Sequence, residues 1–256
     1  MSSHSFCRTV LFASILSLVG LTAVAAAQEA HRPHWAYEGK EGPKEWGNLD
    51  ASYAACSIGH TQSPIDIKNA RKADLPTLKF DYHAVPLNII DNGHTVQVKY
   101  APGSTLTVGE RIYTLKQFHF HHPSEEHVDG KTLRLVAHLV HADADGHLAV
   151  VAVLFELGSA NPLIDTLWTN IPSEKEKPQD IPSVSIQVQG LLPDERDYFT
   201  YAGSLTTPPC SEGVSWFVLK SYATVSPQQV AAFAKIYPMN ARPIQPTNGR
   251  KILQSK

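Results

Sequence analysis

Thirteen histidines are scattered through the 256 residues, and a few stand where their spacing could do chemistry. Gln117-Phe118-His119-Phe120-His121 alternates polar and aromatic residues in the manner of a strand. Side chains two apart on a strand leave the same face, so His119 and His121 can reach one metal ion while Phe118 and Phe120 point into a core. H-x-H alone is a weak signal, as often packing or surface as metal binding. A second strand-like segment, Leu133 to His141, strengthens it. On that segment Leu133, Leu135, Ala137, Leu139 and His141 share one face, and Arg134, Val136, His138 and Val140 share the other, so either His138 or His141 could supply a third imidazole. Three neutral imidazoles with an open fourth position form the donor set of a catalytic zinc site, whereas structural zinc is usually enclosed with cysteines. Imidazoles also suit copper, nickel or iron, and ligand type alone leaves the metal open.

The elements that must carry these side chains are short. Prolines and glycines recur at close intervals and break the chain into brief segments. Strand-type alternation marks Thr95 to Tyr100, Thr105 to Val108, Leu115 to Phe120, Leu133 to His141, Leu148 to Leu157, Ser183 to Val188 and Ser215 to Leu219. Two helices are expected: Pro162 to Asn170, and Ser226 to Ile236 with Ser226 as N-cap and Pro227 in the first helical position. Ser173 to Asp180 is polar and charged and reads as a surface loop. No repeat or linker divides the chain. The pattern predicts one β-rich domain with peripheral helices.

A chain of this length can bury about three quarters of its unfolded surface and so build a full core. Its formal net charge of -2 gives no reason to expect nucleic acid or an anionic membrane as a partner. The first residues read as an export leader: Arg8 is the positive n-region, Val10 to Val24 is almost free of charge, and Ala25-Ala26-Ala27 offers a cleavage site. Residues 1–27 are therefore expected to be a signal peptide, with the mature chain starting near Gln28. The apolar run is rather short for a span, no stop-transfer cluster follows it, and no later segment is apolar enough to cross a bilayer. No membrane association is expected once the leader has gone. Cys7 goes with the leader. Cys56 and Cys210 remain, and an even pair in an exported chain points to one disulfide.

A family resemblance rests on several motifs in order: Gln62-Ser63-Pro64-Ile65-Asp66-Ile67, Asn92-Gly93-His94, Gln117-Phe118-His119-Phe120-His121, Pro123-Ser124-Glu125, His138-Leu139-Val140-His141, Gly203-Ser204-Leu205-Thr206-Thr207-Pro208-Pro209-Cys210 and Asn240-Ala241-Arg242-Pro243. The chain resembles an α-class carbonic anhydrase of the bacterial exported kind, from about Trp35 to about Arg250. The resemblance implies an α+β fold dominated by a large, mostly antiparallel twisted sheet with short outer helices. It implies one Zn2+ per chain and selects His138 over His141 as the third ligand. The implied reaction is reversible hydration of CO2 to bicarbonate and a proton by zinc-hydroxide attack.

The same resemblance implies roles for further residues. Thr206 is the gatekeeper that orients the nucleophile, and Glu125 orients Thr206. His94 is the proton shuttle, an imidazole that titrates near neutral pH, with Tyr37, Asn92 and Gln97 ordering the waters between. Val140, Val150, Leu205, Val214 and Trp216 form an apolar CO2 pocket, and Thr207 contacts solvent or bicarbonate. Gln117 stands behind His119. The chain departs from the family pattern at Val136, where a glutamate usually stands two residues before the third histidine. A valine cannot accept an imidazole N–H, so His138 must bond something else, and weaker zinc binding or lower turnover is expected. His122 follows the second ligand but leaves the opposite face, while His127, His141 and His147 read as surface or structural. Sulfonamide and small-anion inhibitors, a monomer or homodimer, and a periplasmic or secreted location are the remaining expectations.

Three rival readings are weaker. A non-catalytic carbonic-anhydrase-like binding module usually loses one or more of the histidines, and all three are here. A zinc protease would need H-E-x-x-H on a helix, which is absent. A structural or adhesion protein would need none of these polar groups.

Overall fold

The computed structural model of the chain describes Met1 and residues 33–256. The leader expected over residues 1–27 lies outside them apart from Met1. Among the described residues no helix is long and apolar enough to cross a membrane.

A 13-stranded twisted sheet forms the centre of the molecule. Its main path runs Gln179–Ile186, Val85–Asp91, Val96–Lys99, Arg111–His121, Leu135–Ala142, Leu148–Leu157, Glu212–Leu219 and Tyr198–Ser204, and ends on the two-residue strands Leu253–Gln254 and Arg71–Lys72. Most neighbours are antiparallel. Leu148–Leu157 instead runs parallel to Glu212–Leu219, and Leu253–Gln254 parallel to Arg71–Lys72. The Leu148–Leu157 strand reads as a nearly continuous apolar run because both of its faces are covered.

The pleat sorts the core into two layers. Phe118, Phe120, Ala137, Leu139, Val151 and Val153 belong to one apolar cluster, which the two helices Pro162–Thr169 and Pro227–Ile236 help to cover. Val136, Val150, Ala152, Leu154, Val214 and Trp216 belong to a second cluster on the opposite face. Both expected helices form. Asn161 caps the first by accepting from the N–H groups of Leu163 and Ile164. Ser226 and Gln229 make a reciprocal capping box at the start of the second.

Among the strands that were not expected, the two longest carry weak sequence signals. Val85–Asp91 carries a proline, and Tyr198–Ser204 is rich in polar and small residues, so neither shows strong alternation. The segment taken as loop up to Asp180 ends two residues early, because Gln179 and Asp180 already pair with Ile89 and Asn88. At its other end this strand stops at Ile186, and Val188–Leu191 turns into a 3-10 helix.

Cys56 and Cys210 form a disulfide across 154 positions. It joins the short helix Ala55–Ile58 to the turn that follows Thr206-Thr207, and it packs with Trp46, Tyr53 and Trp35. A cross-link that closes so long a loop restricts the unfolded chain strongly. Replacing both cysteines with alanine should lower stability by about 2–5 kcal/mol, read as a lower midpoint in denaturant unfolding. An unchanged midpoint would show that the bridge contributes nothing.

Candidate metal centre

The three histidines meet because of strand register. His119 on Arg111–His121 lies directly opposite His138 on Leu135–Ala142, and His121 lies opposite Val136. Facing residues on paired strands have Cβ atoms about 5 Å apart, so one ligand nitrogen from each imidazole converges, all within 4.8 Å of one another. His141, which spacing alone could not separate from His138, leaves the other face. It is fully buried there with its Nε2 2.8 Å from the Tyr82 hydroxyl.

Each imidazole is fixed from behind. His119 Nδ1–H donates to Gln117 Oε1 at 2.8 Å. His121 Nδ1–H donates to the backbone carbonyl of Asn240 at 2.7 Å. His138 Nε2–H donates to the Glu126 carboxylate, at 3.0 Å to Oε1 and 3.2 Å to Oε2. These bonds leave Nε2 of His119, Nε2 of His121 and Nδ1 of His138 as lone pairs turned inward. His121 Nε2 is buried with no hydrogen-bond partner. Burial holds His119 down to about 3 and His121 well below its ordinary value, so both are neutral and able to ligate. At His138 burial is the largest single effect and pulls the same way, but the charge and hydrogen bond of Glu126 together with the charge of Glu125 raise the pKa. The donor set therefore fits a metal ion with three imidazole ligands. Asp143, Asp145 and His147 also come together, but the Asp143 side chain is occupied in closing the turn by accepting from the N–H groups of Asp145 and His147.

With Val136 unable to accept, His138 bonds another side chain, as expected, and that partner is a carboxylate. The carboxylate comes from the residue after Glu125, on the loop between the two ligand strands, and Val136 instead packs in the apolar cluster with Trp216 and Leu154. Two adjacent glutamates signalled this in the sequence, but which way each points depends on the loop.

Glu125 is fully buried. Its Oε1 accepts from the backbone N–H of Arg242 at 2.7 Å, and its Oε2 lies 3.5 Å from His121 Nε2. Burial pushes its carboxyl up to about 7, while the Arg242 N–H and the Thr206 hydroxyl favour the ionised form. Thr206 follows the Tyr198–Ser204 strand in a turn closed by the Cys210 N–H on the Thr207 carbonyl. At the base of that turn Gly203 allows close packing, since a Cβ there would stand 2.2 Å from Ser63 Oγ. Arg242 and Asn240, for which no catalytic role was expected, act through their backbones on Glu125 and His121.

A cavity of about 220 Å³ opens over the triad. Val140, Val150, Leu205 and Trp216 line one side of it, with Thr206 and Thr207 beside them. Val214 belongs to the same apolar layer but lies behind this wall, 2% exposed. The wall is a ladder rung: Val140 faces Val150, and Val150 faces Trp216. The opposite side carries Tyr37, Asn92, His94, Gln97 and Gln117. His94 stacks on Trp35, ring centroids 3.7 Å apart. Asn92 holds that turn by accepting from the N–H groups of His94 and Thr95. His122, as expected, turns away, its Nδ1 2.9 Å from the Pro238 carbonyl. His127 meets the Thr132 hydroxyl.

The fold and this site define a sheet-borne protein with a three-imidazole metal pocket beside an apolar wall. The family model described as eukaryotic-type carbonic anhydrase matches residues 41–256. A carbonic anhydrase of Pectobacterium carotovorum is 42% identical over 234 residues, 91% of this chain and 96% of that protein. A hyperthermostable carbonic anhydrase from a hydrothermal vent chimney shares the fold with a TM-score of 0.84 at 44% identity, over 87% of this chain and all of that one. The α-carbonic anhydrase of Thermovibrio ammonificans, solved with the inhibitor sulfanilamide, gives 0.83 at 41% identity over 88% of this chain and all of its own. The chain belongs to the α-class carbonic anhydrases, a family of enzymes that hydrate CO2.

Because Glu126 already occupies His138 Nε2, a glutamate at position 136 would add a third buried carboxylate, beside Glu125 and Glu126, without a partner of its own. Val136→Glu should cost roughly 3–5 kcal/mol, measured as a fall in unfolding midpoint, with no gain in zinc affinity. Tighter zinc binding in this variant would show that Val136 weakens the site despite Glu126.

Proposed function

We propose that the chain catalyses reversible hydration of CO2 to bicarbonate and a proton at one zinc ion held by His119, His121 and His138. The observation that carries the reading is the convergence of three lone pairs, each imposed by a separate acceptor, beside an apolar wall. When bound, such a metal supplies a nucleophile at neutral pH by lowering the pKa of a water to about 7, a value for which carbonic anhydrase is the standard example.

The chain's own residues do the rest. Glu125, ionised, takes the Thr206 hydroxyl proton as a hydrogen bond. The Thr206 oxygen is thereby left to accept from the nucleophile and aim its lone pair. Val140, Val150, Leu205 and Trp216, backed by Val214, exclude water and receive a substrate with no charge to grip. Thr207 contacts bicarbonate or solvent. His94 accepts the product proton through waters ordered by Tyr37, Asn92 and Gln97, and passes it to buffer. Burial and the neighbouring His34 hold the His94 pKa below its ordinary 6.5, so it is a free base at neutral pH. Sulfonamides and small anions should inhibit, as sulfanilamide does in the relative from Thermovibrio ammonificans. The export leader and a periplasmic or secreted location belong to the same reading.

Stopped-flow CO2 hydration tests it. The rate should be abolished by a zinc chelator, restored by zinc and suppressed by a sulfonamide; a rate insensitive to both would sink the proposal. His94→Ala should lower turnover by roughly 100-fold in weak buffer, at the low end of general acid–base contributions, and added imidazole should rescue it. The shuttle works only as free base, so wild-type turnover in weak buffer should rise with pH through a midpoint below 6.5. That component should vanish in the variant, and identical profiles would remove His94 from the path.

A further inference from the structure

Glu126 is the one charged acceptor behind the three imidazoles, and it touches neither the cavity wall nor Thr206. It is 0% exposed and sits immediately after the glutamate assigned to Thr206. Its ionic contact, among the described residues, is with His138. Charged carboxylates are rarely buried without a matching partner, because desolvation costs several kcal/mol per ion.

The loop that carries Glu126 is pinned. The Ser124 N–H donates to the Leu133 carbonyl, the Ser124 hydroxyl donates to the Glu126 carbonyl, and the Leu133 N–H donates to the Ser124 hydroxyl oxygen. Just beyond, His127–Val128 pairs in parallel with Asp66–Ile67. Successive side chains on this held segment diverge to opposite edges of one imidazole. Glu125 Oε2 lies 3.8 Å from His138 Nδ1 on the inward edge. The Glu126 oxygens lie on the Nε2 edge at 3.0 and 3.2 Å. Meanwhile Val136, fully buried two residues before His138, contributes only apolar packing.

We propose that Glu126 is the positioning residue for His138: its carboxylate holds the imidazole as the Nε2–H tautomer, aims the Nδ1 lone pair at the metal and makes that ligand more basic. This chain delivers from the preceding loop a carboxylate that Val136 cannot supply from the ligand strand. The inference rests on the zinc site proposed above. An acceptor behind a ligating histidine commonly accounts for 10- to 100-fold in metal affinity. Glutamine keeps an acceptor but removes the charge, so it separates tautomer control from basicity.

The test uses the full chain with Glu126→Ala and Glu126→Gln. Zinc affinity is read by competition with a coloured chelator, and the ring nitrogens by NMR of 15N-histidine-labelled protein with and without zinc. Glu126→Ala should weaken zinc binding about 10- to 100-fold and replace the single Nε2–H signature of His138 with a tautomer mixture, leaving the His119 and His121 signals in place. Glu126→Gln should retain the Nε2–H signature with an intermediate loss of affinity. Wild-type zinc affinity in Glu126→Ala would overturn the proposal. So would equal disturbance of all three ring signals in both variants, which marks a general structural role. Neither readout needs turnover. A Glu126-dependent zinc site without CO2 hydration would refute the functional reading alone, whereas normal hydration with Glu126-independent zinc binding would refute this one alone.

Discussion

Everything at the centre of this protein depends on which nitrogen of each histidine carries the proton. A neutral imidazole has one N–H and one lone pair, and the acceptor placed behind the ring decides which faces inward. The chain uses three chemically different acceptors: the Gln117 amide oxygen, the Asn240 backbone carbonyl and the Glu126 carboxylate. They come from a ligand strand, a C-terminal segment and a loop, so the site exists only when distant parts of the chain have docked. Asn240 shows how closely they are tied. Its side chain donates to the carbonyls of His94 and Phe120 and accepts from the His122 N–H, while its own carbonyl orients His121.

Holding the imidazoles this way forces charge into the interior. Glu125 and Glu126 are fully buried, and Arg242 is nearly so. Such charges survive only with strong local partners. Arg242 spends its guanidinium on the Gln62 side chain and the carbonyls of Ser63 and Cys56, and stacks over Trp46, leaving its backbone N–H for Glu125. The disulfide, the aromatic N-terminal segment and the orientation of Glu125 are thus one structure. Cys56 and Glu125 share one arginine, whose guanidinium donates to the Cys56 carbonyl and whose backbone N–H donates to the Glu125 carboxylate.

The parts of this arrangement that obey a period were legible in the sequence. His119 and His121 alternate with Phe118 and Phe120, and the pleat puts them where alternation says. The two helices with their proline and side-chain caps were equally plain. His138 could be separated from His141 only by resemblance, because both stand on a strand and the choice of face depends on what covers it. Glu126 was missed for a related reason: the expectation searched the ligand strand for a carboxylate, whereas a loop fold supplies it. The contribution of Asn240 is invisible to any reading of residue types, since any residue but one locked out of that backbone conformation has a carbonyl to offer.

Polar chemistry and apolar binding sit side by side here without a separate subsite for each, and the sheet explains how. One rung across neighbouring strands carries Gln97, His119, His138 and Ala152. The next rung on the same face, two residues along each strand and about 7 Å away, carries Gln117, Val140, Val150 and Trp216. Ligands and apolar wall are therefore at a spacing set by the backbone repeat, not by side-chain flexibility. A one-residue slip between Arg111–His121 and Leu135–Ala142 would separate the histidines and turn both rungs to the wrong face at once. The register of that strand pair consequently carries metal geometry and substrate environment together, and the buried aromatics on the reverse face, Phe118 and Phe120, are what make the slip costly.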